Sequence, residues 1–214
     1  MPILYVGIPI LLVFMQPDLG TSLVYIAIFV GMLFVSGIRL RLVRIIATVG
    51  VLLMPLAWFV LKDYQKQRIL VFMNPDIDPF GSGYHIIQSK IAIGSGTIFG
   101  KGLFNGTQSQ LNFLPENHTD FIFSVIGEEL GFIGCIFVLI LLFMLIYRSI
   151  KVAYSCNDRF GMLLATGIGS MLCFEVLVNA GMTMGIMPVT GIPLPFISYG
   201  VSALTTNMIS VGIL

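Results

Sequence analysis

Residues Phe121 to Tyr147 read FIFSVIGEELGFIGCIFVLILLFMLIY. About 20 apolar residues suffice to cross the hydrocarbon core of a bilayer, so this run is a membrane span long enough to tilt. On either side lie more runs of spanning character, Leu19 to Ile38, Ile45 to Leu61 and Phe160 to Val178. Pro2 to Met15 and Val201 to Leu214 are apolar but shorter and lack polar anchors. Composition agrees: 57% of the chain is hydrophobic, 10% is charged and the mean hydropathy is +1.00. A soluble domain is about a quarter charged, and disordered chains are more polar still. The net charge of +1 gives no electrostatic case for nucleic acid. Cys135, Cys156 and Cys173 have neither disulfide-framework nor metal-ligand spacing. The expectation is an all-α, polytopic integral membrane helical bundle of about six transmembrane segments. It forms a single membrane domain over residues 1–214, and its unanchored ends suggest a piece of a larger membrane protein.

Basic residues orient the bundle. Arg39, Arg41 and Arg44 crowd one short link, and Arg148, Lys151 and Arg159 another. The positive-inside rule makes both links cytoplasmic. Alternation then places Gln16-Pro17-Asp18, a large loop over 62–119 and the link over 179–200 outside. The large loop nevertheless carries Lys62, Lys66, Arg68, Lys90 and Lys101. Long loops are weakly bound by the rule; the alternative is that these cations meet an anion on the outer face. Within the loop, Tyr84, Ile87, Ile91 and Phe99 have the spacing of a short helix lying in the membrane interface. Gly94 to Gly102 fails both the P-loop and the dinucleotide patterns and reads as a flexible turn. Met187 to Phe196 is apolar yet rich in helix breakers. Irregular backbone at that depth must be buried in protein or line a cavity, which points to a re-entrant segment.

Carboxylates are costly in a bilayer and mark functional candidates there. Asp18 and Asp120 fall at the outer ends of their runs, and Glu175 falls roughly 4.5 Å of helical rise from the outer end of its own. Three carboxylates from three segments thus lie near one level. In helical phase Glu128 lies about 80° from Asp120 and roughly 12 Å deeper, while Glu129 lies about 180° away. Only Glu128 is then placed to share a cavity with Asp120, and Glu129 is expected to pair with a neighbouring helix. A purely structural reading makes Asp120 a helix N-cap, a position that favours aspartate.

The same residues carry a family resemblance. Gln16-Pro17-Asp18-Leu19-Gly20-Thr21, Tyr64-Gln65-Lys66-Gln67-Arg68-Ile69 and Gly83-Tyr84-His85-Ile86-Ile87-Gln88-Ser89 resemble motifs of the SEDS proteins, the RodA/FtsW/SpoVE group. So do Leu114-Pro115-Glu116-Asn117-His118-Thr119-Asp120-Phe121, continuing to Gly127-Glu128-Glu129-Leu130-Gly131, and Pro188 to Gly200. The Gly191-Ile192-Pro193-Leu194-Pro195-Phe196 form looks most like RodA. Val201-Ser202-Ala203 departs from the family's usual Gly-Ser-Ser, which bears on packing more than on chemistry.

The resemblance implies a ten-helix fold in the bacterial cytoplasmic membrane, of which this chain covers about the last six helices. It implies a glycosyltransferase that polymerises lipid II, a disaccharide-peptide on undecaprenyl diphosphate, into peptidoglycan strands on the outer face, for cell elongation and rod shape. A class B penicillin-binding protein is the implied partner. Asp120 matches the family's essential aspartate and suits a general base for the acceptor hydroxyl. Lys66, Arg68, Lys90 and Lys101 are candidates to meet the diphosphate, with Glu128 and Ser198 as further substrate-binding candidates. A divalent cation could share that role, although no ligand set stands out. The alternatives are a flippase for lipid-linked precursors and a non-catalytic scaffold for the transpeptidase. A flippase needs a polar path across the whole membrane, whereas polar residues here crowd the outer half. The piece alone, lacking the first four helices and with Glu128 and Glu129 facing lipid, is expected to be inactive.

Overall fold

The computed structural model describes residues 2–16, 18–37, 44–45, 48, 52, 59, 61–79, 81–111 and 113–214. Among them are eight α-helices: α1 (Pro2–Met15), α2 (Leu19–Val35), α3 (Asp63–Met73), α4 (Ser82–Gly96), α5 (Thr107–Gln110), α6 (Ile122–Ser155), α7 (Arg159–Thr183) and α8 (Val201–Ile213). The expected span over Ile45 to Leu61 falls almost wholly outside the described residues.

Local chemistry explains several boundaries. Asp18 caps α2, its carboxylate accepting from the Thr21 amide at 3.0 Å and the Thr21 hydroxyl at 2.6 Å. Asp158 caps α7 by accepting from the Gly161 amide at 3.1 Å. Pairs formed by α6 with α7, α2 with α7 and α4 with α6 build the bundle. Small residues let α7 approach both neighbours: Gly31 lies against Ser170, Gly167 against Met32, and Gly169 against Ser149. The core runs along the α6–α7 seam through Phe123, Leu142, Ile146, Leu172, Val176 and Leu194.

The short helix expected within the loop is present over Ser82–Gly96, with Tyr84 and Ile87 partly exposed and Ile91 exposed. Its packing face is Gly83, Ile86, Ser89, Ala92 and Gly96; the small residues there let α4 close on α6, with Gly96 directly against Gly127. The fourth run is also longer than its apolar stretch: α7 continues past Val178 to Thr183, so Glu175 sits about 12 Å before its end.

The main departure lies in α6, which breaks at Gly131 (φ 68°, ψ −164°). That region of backbone space belongs essentially to glycine. The two parts turn on each other. A Cβ on Gly127 would lie 3.4 Å from Cys135 Sγ, across eight residues that a straight helix separates by about 12 Å. A helix break leaves amides and carbonyls without partners. Here the run that reads as a flexible turn supplies them. Lys101 N–H donates to the Glu128 carbonyl and Gly102 N–H to the Glu129 carbonyl, both at 3.0 Å. Phe132 and Ile133 donate to the Thr97 and Ile98 carbonyls at 3.0 and 3.2 Å. Gly94 to Gly102 is therefore a clamp on α6.

Candidate active site

Asp120 precedes α6 in the turn over 114–121 and is not its N-cap; Phe121 holds that position, with no side-chain cap. The turn is tied internally by Thr119 N–H and Phe121 N–H, which both donate to the Glu116 carbonyl at 3.2 Å. It is tied externally by Asn179, fully buried on α7. The Asn179 side-chain amide donates to the Asp120 carbonyl at 2.9 Å and to the Ile192 carbonyl at 2.8 Å. Ser198 adds a further link, its hydroxyl donating to the Thr119 carbonyl at 2.6 Å while accepting from Leu194 N–H at 2.7 Å. Tyr199 N–H completes the seam on the His118 carbonyl at 2.8 Å.

The link over 184–200 thus forms a wall beside Asp120. Ile192, Leu194 and Pro195 are buried in it. Gly191, at φ 76°, lies so close that a Cβ there would stand 3.5 Å from the Asp120 carboxylate. Arg68 on α3 holds the same wall by donating from Nη1 to the Val189 and Thr190 carbonyls, each at 3.3 Å.

Burial pushes the Asp120 carboxyl above its ordinary value of 3.8, and the neighbouring Glu116 carboxylate pushes it the same way. Arg68 and His85 pull it back. His85, on α4, stacks on Phe121 with ring centroids 5.9 Å apart, and its buried Nδ1 has no hydrogen-bond partner. A carboxylate whose proton affinity is raised by desolvation, with a guanidinium and an imidazole in range, has the chemistry to take a proton from a hydroxyl and face a departing anion.

The other candidates divide. Arg68 belongs to the Asp120 neighbourhood. Lys66, two residues along α3, points to another face. Lys90 is exposed and lies over Gly185 beyond the end of α7. Lys101 is not free for a substrate anion: its Nζ meets Glu128 Oε1 at 2.8 Å and Thr107 Oγ1 at 2.8 Å. Glu128, fully buried, also accepts from the Gln108 and Ser109 amides at 2.9 and 3.0 Å. Its carboxylate holds the start of α5, so it neither shares a cavity with Asp120 nor faces lipid. Glu129, 9% exposed, accepts from Gln110 Nε2 at 3.4 Å, so its partner comes from α5. Ser198 uses its hydroxyl on the wall, between the Thr119 carbonyl and the Leu194 amide.

Asp18, Asp120 and Glu175 do converge on the 190–193 link, but not in one cavity. Glu175 lines a separate space of about 320 Å³ behind Gly191 and Pro193, with Thr21, Thr206 and Asn207. Among the described residues no three His, Cys, Asp or Glu side chains converge as metal ligands. Sequence reasoning passed over His85 and Asn179. A polar residue inside the apolar run of α7, beside an irregular link, was the available signal for Asn179.

A membrane bundle that locks a carboxylate turn against a re-folded apolar link defines the class, and comparison names it. The family described as cell cycle protein, FtsW/RodA/SpoVE, matches residues 1–214. The chain belongs to that family. It is 50% identical over 206 residues to peptidoglycan glycosyltransferase MrdB of Escherichia coli (strain K12), covering 96% of this chain and 56% of that protein. It is 37% identical over 279 residues to peptidoglycan glycosyltransferase RodA of Treponema pallidum (strain Nichols), covering 97% and 64%. Stage V sporulation protein E of Bacillus subtilis (strain 168) is 43% identical over 205 residues, covering 95% and 55%. A solved chain from work on polymerization and crosslinking by a peptidoglycan synthase complex superposes with a TM-score of 0.80 at 34% identity. It covers 100% of this chain and 59% of that one. The chain spans little more than half the length of most of these relatives.

Proposed function

We propose that this chain is the catalytic part of a peptidoglycan glycosyltransferase that polymerises lipid II on the outer face of the bacterial cytoplasmic membrane, in the elongation of rod-shaped cells. The observation that carries the reading is the half-buried Asp120 carboxylate, raised in pKa and fixed beside Arg68 and His85. Asp120 removes the proton of the acceptor hydroxyl as that oxygen attacks the anomeric carbon of the lipid-linked donor. The bond to the diphosphate breaks with its electron pair, and the resulting anion is met by cations, of which Arg68 is the nearest to the base among those discussed. The loop over 62–119 and the link over 179–200 lie together on the outer side, which the contacts of Arg68 with Val189 and Thr190 support. A class B penicillin-binding protein crosslinks the product; the similarity to a chain of a peptidoglycan synthase complex supports that pairing. The test is polymerisation of purified lipid II by the complete protein with Asp120 intact and with Asp120→Asn. Equal rates refute the assignment.

A further inference from the structure

We infer that the clamp turn over 97–104 is an outer-leaflet anchor: Ile98, Phe99, Leu103 and Phe104 immerse in lipid at the level of the Gly131 break. The inference rests on the membrane-spanning reading of α6 and not on the proposed chemistry. Three independent properties of the turn support it.

The first is its outer face. Phe99 is 78% exposed and Phe104 79% exposed, and Ile98 and Leu103 are also exposed. Phe104 is held at φ 61°, a left-handed backbone that side chains other than glycine rarely adopt. This face continues that of the spanning helix. Before Gly131, α6 buries Phe123, Ser124, Gly127, Glu128 and Glu129; after it, Phe132, Ile133 and Phe137 are exposed.

The second is charge. The turn's one ionic side chain, Lys101, is drawn inward onto Glu128, so what remains outward is apolar. The third is backbone. Peptide groups in hydrocarbon need partners within the protein. On the side toward α6 they have them: Lys101 and Gly102 donate to α6, Thr97 and Ile98 accept from it, and Gly100 N–H donates to the Gly96 carbonyl at 2.7 Å. The amides of Ile98, Phe99, Leu103 and Phe104 have no protein partner among the described residues, which sets them at the hydrocarbon boundary rather than deep within it.

A length check agrees. From Gly131 to Arg148 is about 26 Å of helix rise, close to a hydrocarbon core of about 30 Å. With Arg148 at the inner boundary, the outer boundary falls near the clamp.

The test is tryptophan quenching in the complete protein, with Trp58 and every other native tryptophan replaced by phenylalanine. Phe104→Trp and Phe99→Trp variants are reconstituted in phosphatidylcholine vesicles with plain or brominated acyl chains. Ile77→Trp, on an exposed turn between Asp76 and Asp78, is the aqueous reference. Loss of emission in brominated vesicles at either clamp position, beyond that at Ile77→Trp, supports the anchor. Quenching no greater than at Ile77→Trp at both positions overturns it and leaves water or a protein partner as the face's neighbour.

Discussion

The side-chain amide of Asn179 donates to the backbone carbonyl of Asp120 at 2.9 Å, and its second hydrogen goes to the carbonyl of Ile192. One fully buried amide group thus fixes the distance between the carboxylate turn and the wall it faces. Asn179→Leu should lower polymerisation by the complete protein. It leaves two buried carbonyls without a donor, at a cost of about 1 to 3 kcal/mol each. Asn179→Gln, which keeps the donor on a longer arm, should recover part of the loss. Rates per folded molecule, measured on both variants, check this; an unchanged rate in Asn179→Leu would exclude a positioning role.

Asp120→Asn keeps size and removes the base. A general base contributes about 10²- to 10⁴-fold, so lipid II polymerisation should fall by at least that order, while membrane insertion and thermal stability stay close to wild type because Asp120 caps no helix.

The pH dependence follows from the raised carboxyl. In the proposed role Asp120 acts ionised, so polymerisation should fall on acidification with a midpoint above 3.8. Arg68→Gln removes a cation that lowers this value, and the midpoint should move up. Glu116→Gln removes an anion that raises it, and the midpoint should move down. For stability the sign is opposite. A carboxyl whose folded value is raised contributes stability that is present below its unfolded value and lost as pH rises through the folded one. Rate profiles of the three proteins test the order of midpoints.

Gly191→Ala should impair turnover more than folding. It places a methyl against the Asp120 carboxylate at a backbone φ of 76°, a conformation that costs an alanine on the order of 1 kcal/mol or more. Polymerisation at matched protein level reads the effect, and a wild-type rate would show that the wall is free to move.

Glu128→Gln should be a stability variant. It breaks a buried pair with Lys101 and weakens the anchoring of α5. Breaking such pairs costs about 3 to 5 kcal/mol, and the partial exposure of Lys101 places this one toward the lower end. The thermal midpoint in detergent should drop, while turnover per folded molecule holds. A loss of turnover without loss of stability would return Glu128 to the site.

Much of this arrangement could be read from residue patterns because apolar runs and basic links are local signals. The runs at Leu19, Phe121 and Phe160 each form a helix, and Asp120 lies beside the link over 188–196. The failures are non-local. Helical phase between Asp120 and Glu128 assumed one continuous helix, but Asp120 lies in a turn. Nor does a lone glycine announce a break whose stability depends on hydrogen bonds from residues some thirty positions upstream. Lys101 and Glu128 each looked available for substrate because their pairing spans 27 positions. Arg68 holds carbonyls more than 120 positions away, which no spacing rule reveals.

The break at Gly131 also bears on how the chain enters the membrane during synthesis. A carboxylate at the centre of an inserting helix opposes insertion by about 2.5 to 3.5 kcal/mol on biological scales. Glu128 and Glu129 would impose that burden twice on a continuous α6. With the helix broken beyond them, the stretch from Phe132 to Tyr147 contains no charged residue and can partition into lipid by itself. With the loop over 62–119 outside, as proposed, the two acids would stay with it and be buried when α5 and Lys101 close over Glu128. Insertion and assembly of the site are in this way separated in time by a single residue.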